Sequence, residues 1–122
     1  MSENNVFARI IRGELPANKV YEDDEFLAFH DIDPVAPVHL LLIPKRPIVS
    51  LQDVGPEDAE WLGRMMALIP KIAHENGCTP GPEGGFRVVT NSGSHGGQEV
   101  PHLHFHILGG QRPWKPKSAM AV

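Results

Sequence analysis

The segment His102-Leu103-His104-Phe105-His106-Ile107-Leu108 alternates histidine with apolar residues, a period of two that a helix cannot sort onto two faces. In an extended strand, His102, His104 and His106 share one side, and Leu103, Phe105 and Ile107 share the other. The pattern predicts a last strand whose apolar side docks on a helix through Phe105 and Ile107. Its imidazoles stand about 6.5–7 Å apart and face solvent or a cleft. Three ionisable groups in one row repel when charged, so some are neutral near pH 7. Neutral imidazole serves as a nucleophile, with neighbours positioning it and handling protons, or as a metal ligand. A plain polar strand face is the remaining alternative.

The rest of the chain must supply partners for that strand. Asn5 caps a short helix carrying Val6, Phe7, Ile10 and Ile11 on one side, with Gly13 as its stop. Pro16 marks a turn, Val20-Tyr21 a short strand, and Glu22 to Glu25 a solvated acidic turn. Phe26 to Asp31 reads as a strand with Leu27, Phe29 and Asp31 on one face. Pro34 and Pro37 precede His39-Leu40-Leu41-Leu42-Ile43, whose continuous apolar run predicts a strand buried on both faces. Between Pro56 and Gly77, Trp61, Leu62, Met65, Met66, Ile69, Ile72 and Ala73 recur at helical spacing, and Pro70 bends or divides that helix. Phe86 to Thr90 is a further strand after a Gly/Pro loop, and the tail from Gln111 is extended. Several strands without βαβ alternation, plus one long and one short helix, predict an antiparallel α+β domain.

At 122 residues the chain forms one domain, residues 1–122, with one core. A net charge of −4 supplies no basic field for gripping nucleic acid. The single Cys78 forms no internal disulfide and suits a reducing compartment. The first residues lack a signal-peptide pattern, and the longest strongly apolar run, Leu40 to Ile43, is far below membrane-spanning length. A cytoplasmic protein without membrane contact is expected.

The loop before the histidines, Gly93-Ser94-His95-Gly96-Gly97-Gln98, is rich in residues that turn backbone N–H groups inward as an anion-binding nest. A nest beside imidazoles favours phosphoryl or nucleotidyl chemistry over a metal site, for which only His39, His95 and Glu99 are plausible added ligands.

These residues resemble the histidine triad family, whose signature alternates three histidines with apolar residues as His102 to Leu108 do. The Gly96-Gly97-Gln98-Glu99-Val100-Pro101 lead-in and the Gly109-Gly110 exit resemble its nucleotide-binding, phosphoramidase branch. Phe7 to Pro16, Ala28 to Ile32, and Ala36 to His39 leading into Ile43-Pro44-Lys45 match in the expected order. The resemblance implies a homodimer with a five-stranded antiparallel sheet in each subunit. It implies hydrolysis of purine nucleoside phosphoramidates, of the adenosine 5′-monophosphoramidate or aminoacyl-AMP type, without metal or cofactor. A purine nucleotide of AMP or GMP type is the implied ligand.

By motif position, His104 would attack the α-phosphorus to give a nucleotidyl-histidine, and His102 would orient it, partly through its carbonyl. His106 would contact the phosphate, and His39 would belong to the supporting network. Asp31 would accept the ribose hydroxyls, and Val6, Phe7, Ile10, Leu15, Phe29, Ile32 and Leu41 would line the base pocket. Asn91 and the N–H groups of Gly97 and Val100 would hold the phosphate.

The match has departures. Glu99 stands where some relatives have serine, and it is assigned no catalytic role. Pro47 stands where many have a further histidine. Trp114 resembles a tryptophan that reaches the partner's active site, but its spacing after Gly110 is shorter. His30 and His74 read as structural or exposed, and Lys45 and Arg46 as a solvated rim. Dinucleoside polyphosphate hydrolysis, slow nucleotide sensing or scaffolding, and zinc binding are the alternatives.

Overall fold

A computed structural model of the chain describes residues 4–115, so the expected extended tail 111–122 lies mostly outside the described residues. A short helix, α1 (Val6–Ile11), opens the described chain, and the Asn5 side chain accepts the Ala8 N–H as its cap. Strands β1 (Lys19–Glu22), β2 (Phe26–His30), β3 (Val38–Pro44), β4 (Phe86–Val89) and β5 (Phe105–Gly109) form one antiparallel sheet in the order β1-β2-β3-β5-β4. The long helix α2 (Ala59–Glu75) lies between β3 and β4 in the chain. No helix among the described residues is long and apolar enough to cross a membrane.

Central placement explains the composition of β3. Leu40 and Leu42 join Phe26, Ala28, Phe105 and Ile107 against Trp61, Met65, Ile69 and Ile72 of α2. On the opposite face Leu41 and Ile43 pack with Leu27 and Phe29 against Phe7 and Ile10 of α1. A strand covered on both faces keeps apolar residues at every position.

The long helix begins later than its proline suggests, because Pro56–Asp58 forms a separate 3₁₀ turn before Ala59. Pro70 sits inside α2 without dividing it. That residue is exposed, on the face of the helix away from the α2 core residues.

The histidine segment also differs from expectation. Ladder pairing begins only at Phe105, so His102 and His104 precede the strand. Pro101 has no N–H to offer, and the chain turns tightly there, with the His102 N–H donating to Val100 O at 2.8 Å. Leu103 N–H then donates to Ile48 O at 2.7 Å, outside the sheet. The alternation of faces survives: Leu103, Phe105 and Ile107 enter the α2 core, whereas His102 and His104 meet Phe7 of α1.

Candidate active site

Register places the site. Phe29 on β2 lies opposite Leu41 on β3, and Leu41 lies opposite His106 on β5. Just beyond β2, the Asp31 N–H donates to His39 O at 2.9 Å, bringing that carboxylate beside the start of β3. His102, His104, His106 and His39 are all buried, contrary to an imidazole row facing solvent. The Phe7 ring stands 4.9 Å from that of His104, and the His104 and His106 rings stand 5.2 Å apart, edge to face.

Backbone groups assign the protons. A carbonyl only accepts, so the 2.7 Å contact between His104 Nδ1 and His102 O places a proton on Nδ1. Neutral His104 therefore carries its lone pair on Nε2. An amide only donates, so Val35 N–H at 3.1 Å makes His39 Nδ1 an acceptor and puts the His39 proton on Nε2. That Nε2–H donates to His106 Nδ1 at 2.8 Å, with Asp31 Oδ2 3.3 Å away. His106 is then protonated on Nε2, a buried donor with no hydrogen-bond partner among the described residues. His102 also carries its proton on Nε2, unlike His104, and donates it to Pro44 O at 2.8 Å.

Burial favours the neutral form of His39, His102 and His106. It lowers His39 below the ordinary histidine range, against the opposing pull of Asp31 and Asp33. It lowers His102 despite the Pro44 carbonyl, with His104 adding to the fall. Burial first, and then His104 and His39, push His106 down to about 3.

The unfolded chain takes up a proton at each of these histidines near pH 6.5, and the folded chain does so only below that value. The unfolded state thus binds more protons below pH 6.5, and stability falls as pH drops through that window. Each ring contributes a loss on the order of 1 kcal/mol per pH unit. The urea midpoint is expected to fall steadily between pH 6.5 and 5. A midpoint flat over that range would contradict buried neutral rings.

Beside the histidines opens a cavity of about 770 Å³ with mostly apolar walls. Val6, Phe7 and Ile10 of α1 form one wall, and Phe29 and Leu41 of the sheet form another. Leu15, Ile32 and Val100 add to the apolar lining, and Asp31 supplies a carboxylate at the histidine side. Ile32 is fully exposed at the rim, an unusual position for so large an apolar side chain. Concave, apolar walls with a few polar groups are the usual form of a small-molecule site.

Comparison with known proteins shows the family. The family model described as the HIT domain matches residues 12–113. The chain belongs to the histidine triad (HIT) family. It is 46% identical over 119 residues to the purine nucleoside phosphoramidase of Escherichia coli K12, covering 98% of this chain and 97% of that protein. It is 48% identical over 117 residues to an uncharacterized HIT-like protein of Synechococcus elongatus, covering 95% and 99%. Among solved structures, a HIT family hydrolase from Legionella pneumophila superposes with a TM-score of 0.82 at 45% identity, covering 89% of this chain and 95% of that one. A histidine triad protein from Clostridium difficile gives 0.81 at 46% identity, covering 90% and 93%.

Of the residues this HIT chain offers for binding, every one expected at the base pocket lines the cavity, together with Asp31 and Val100. Gly97 does not behave as expected. Its φ of +84° closes a 3₁₀ turn in which its N–H donates to Ser94 O at 3.1 Å. Gly96 and Gln98 likewise donate to Gly93 O, at 3.1 and 3.0 Å. The glycine-rich turn satisfies these three amides internally, so they do not form an open nest. Asn91 follows Thr90, whose hydroxyl donates to His104 O at 2.7 Å, and it lies against Gly96 rather than in the cavity lining.

Other expectations resolve individually. Glu99 is exposed, and so is Pro47. Trp114 folds back on its own chain, donating to Gly110 O at 3.0 Å and packing beside Val35, Ala36 and Leu108. His74 is exposed and packs edge-on to Phe86. Lys45 pairs with Glu22 at 2.8 Å, and Arg46 lies over the Trp61 ring.

Sequence reasoning missed Pro16, Ala17, Asn18 and His30 in the cavity lining. A signal existed for the first three, since a turn joining α1 to β1 must border any space between that helix and the sheet. It also missed Val35, whose part is played by a backbone N–H that no side chain announces. Among the described residues, Asp31, His39 and His106 are the group whose donor atoms converge closely enough for a metal ion.

Proposed function

We propose that this protein hydrolyses purine nucleoside phosphoramidates, with His104 as nucleophile. The observation that carries this reading is the His104 tautomer: Nδ1–H is committed to His102 O, which leaves the Nε2 lone pair for attack beside an apolar cavity. The name of the Escherichia coli relative supports the same substrate class.

In this reading the purine lies between α1 and the Phe29–Leu41 wall, and Asp31 accepts the ribose hydroxyls. The α-phosphorus then faces His104. Nε2 attacks it, the phosphorus–nitrogen bond breaks, and the leaving amine departs with a proton taken from solvent. The covalent nucleotidyl-histidine divides one difficult displacement into two easier ones. Water attacks the same phosphorus, releasing the nucleoside monophosphate and restoring His104. His106 offers its Nε2–H to a phosphate oxygen, with His39 holding that ring in the donating tautomer. Asn91 and the Val100 N–H assist with the phosphate.

No cofactor or metal enters this scheme, which operates in the cytoplasm. Among the described residues β4 is an outer strand of the sheet and carries the exposed Val88, which suits pairing with a second copy of the chain as a homodimer.

The test is direct. Purified protein is mixed with adenosine 5′-monophosphoramidate, quenched at early times and examined by mass spectrometry. AMP in solution and an AMP mass on the peptide carrying His104 are expected. Intact substrate after long incubation, with stoichiometric zinc on the protein, would overturn the proposal.

A further inference from the structure

Gln98 has no part in the scheme above, yet its side-chain amide uses every hydrogen-bonding group it has. Its Oε1 accepts the Gly93 N–H at 2.9 Å. Its Nε2 donates to Val49 O at 2.7 Å and to Val100 O at 3.0 Å. One side chain thereby ties the loop after β4, the loop after β3 and the approach to the histidines. Only this assignment of the amide oxygen and nitrogen satisfies one N–H and two carbonyls together.

The Val100 carbonyl is where this clamp meets the chemistry. It accepts the Gln98 amide and also the His102 N–H at 2.8 Å, closing the tight turn around Pro101. Pro101 has no N–H with which to hold the turn itself. Past that turn, His102 O accepts the Nδ1–H of His104 at 2.7 Å. The neighbouring loop supports the same stretch, because Ile48 O accepts the Leu103 N–H at 2.7 Å and Val49 O accepts Gln98. The direction of the His102 carbonyl therefore depends on a turn that Gln98 holds in place.

We infer that Gln98 is a positioning residue for His104: by clamping the Val100–His102 turn it aims the His102 carbonyl that fixes the nucleophile's tautomer. This rests on the reading of His104 as nucleophile. Its effect lies chiefly on the chemical step, because of the residues that line the cavity only Val100 belongs to the clamped turn. A misaimed carbonyl lets the proton move to Nε2 and so removes the attacking lone pair.

Two variants test it. In Gln98→Ala the clamp is lost. The expected result is a fall in kcat of about tenfold to a hundredfold with KM and AMP affinity within about threefold of native. In nitrogen-15 NMR of the free protein, the His104 ring should show a new population protonated on Nε2. Gln98→Glu keeps the shape, but its carboxylate cannot donate to Val49 O or Val100 O. Protonated, it supplies one donor while still accepting from Gly93. Its kcat relative to native at the same pH should therefore rise as pH falls from 7 to 5, whereas the alanine ratio stays flat.

Native kcat in the alanine variant overturns the inference. So does a fall in kcat with the His104 nitrogens unchanged, which is what a purely structural loss would produce. The tautomer readout needs no turnover. Native protein that cleaves no phosphoramidate while Gln98→Ala still shifts the His104 tautomer would sink the enzymatic reading and leave the positional one standing.

Discussion

His104→Ala is expected to leave phosphoramidate turnover at least about 10⁴-fold below native, with no AMP mass on any peptide. The size of the effect follows from the covalent route, because no neighbouring ring can replace the lost nitrogen. His106 holds its proton on Nε2, and His102 directs its own Nε2–H at Pro44 O. AMP binding should persist, since the cavity walls belong to other elements, and AMP affinity near native would show that the variant folds. Turnover within tenfold of native would remove His104 from the mechanism. Transfer of the adduct to another histidine would have the same consequence.

His106→Ala is expected to lower kcat by about 10²–10³-fold with a much smaller change in KM, as for loss of one donor to developing phosphate charge. The motive is the orphaned Nε2–H, a buried donor without a partner among the described residues. Leaving such a group unsatisfied costs about 1–3 kcal/mol, and a substrate oxygen would recover that cost on binding. The urea midpoint of the variant should therefore fall less steeply below pH 6.5 than that of the native protein, because one ring that must stay neutral is gone. Parallel measurement of kcat and the urea midpoint at pH 5.5 separates the two effects. Unchanged kcat would mean that the Nε2–H faces no reacting atom.

The position of each element in the chain was largely legible in the sequence. Period-two alternation separated Leu103, Phe105 and Ile107 from the histidines, and those three residues do pack on α2. The uninterrupted apolar run of β3 foretold burial on both faces. Phe29 and Asp31 were placed on the same face, and both border the cavity. Boundaries were less legible. The histidine strand begins at Phe105 because Pro101 and the Ile48 carbonyl take His102 and Leu103 out of the ladder. The glycine-rich turn suggested an open cradle of amides, but a turn can close on itself, and this one does.

By itself, the sequence determined the faces of the strands, the α+β class and the kind of chemistry three in-phase imidazoles support, because these depend on periodicity and residue type. Tertiary structure alone decided which nitrogen of each ring carries the proton. The groups that decide it for His39, His102 and His104 are Val35 N–H, Pro44 O and His102 O. Every residue carries such backbone groups, so no residue type distinguishes them. Folding selects one by bringing Pro44 to His102 across 58 residues of chain and His39 to His106 across 67. Burial then removes the water that would otherwise let the protons redistribute.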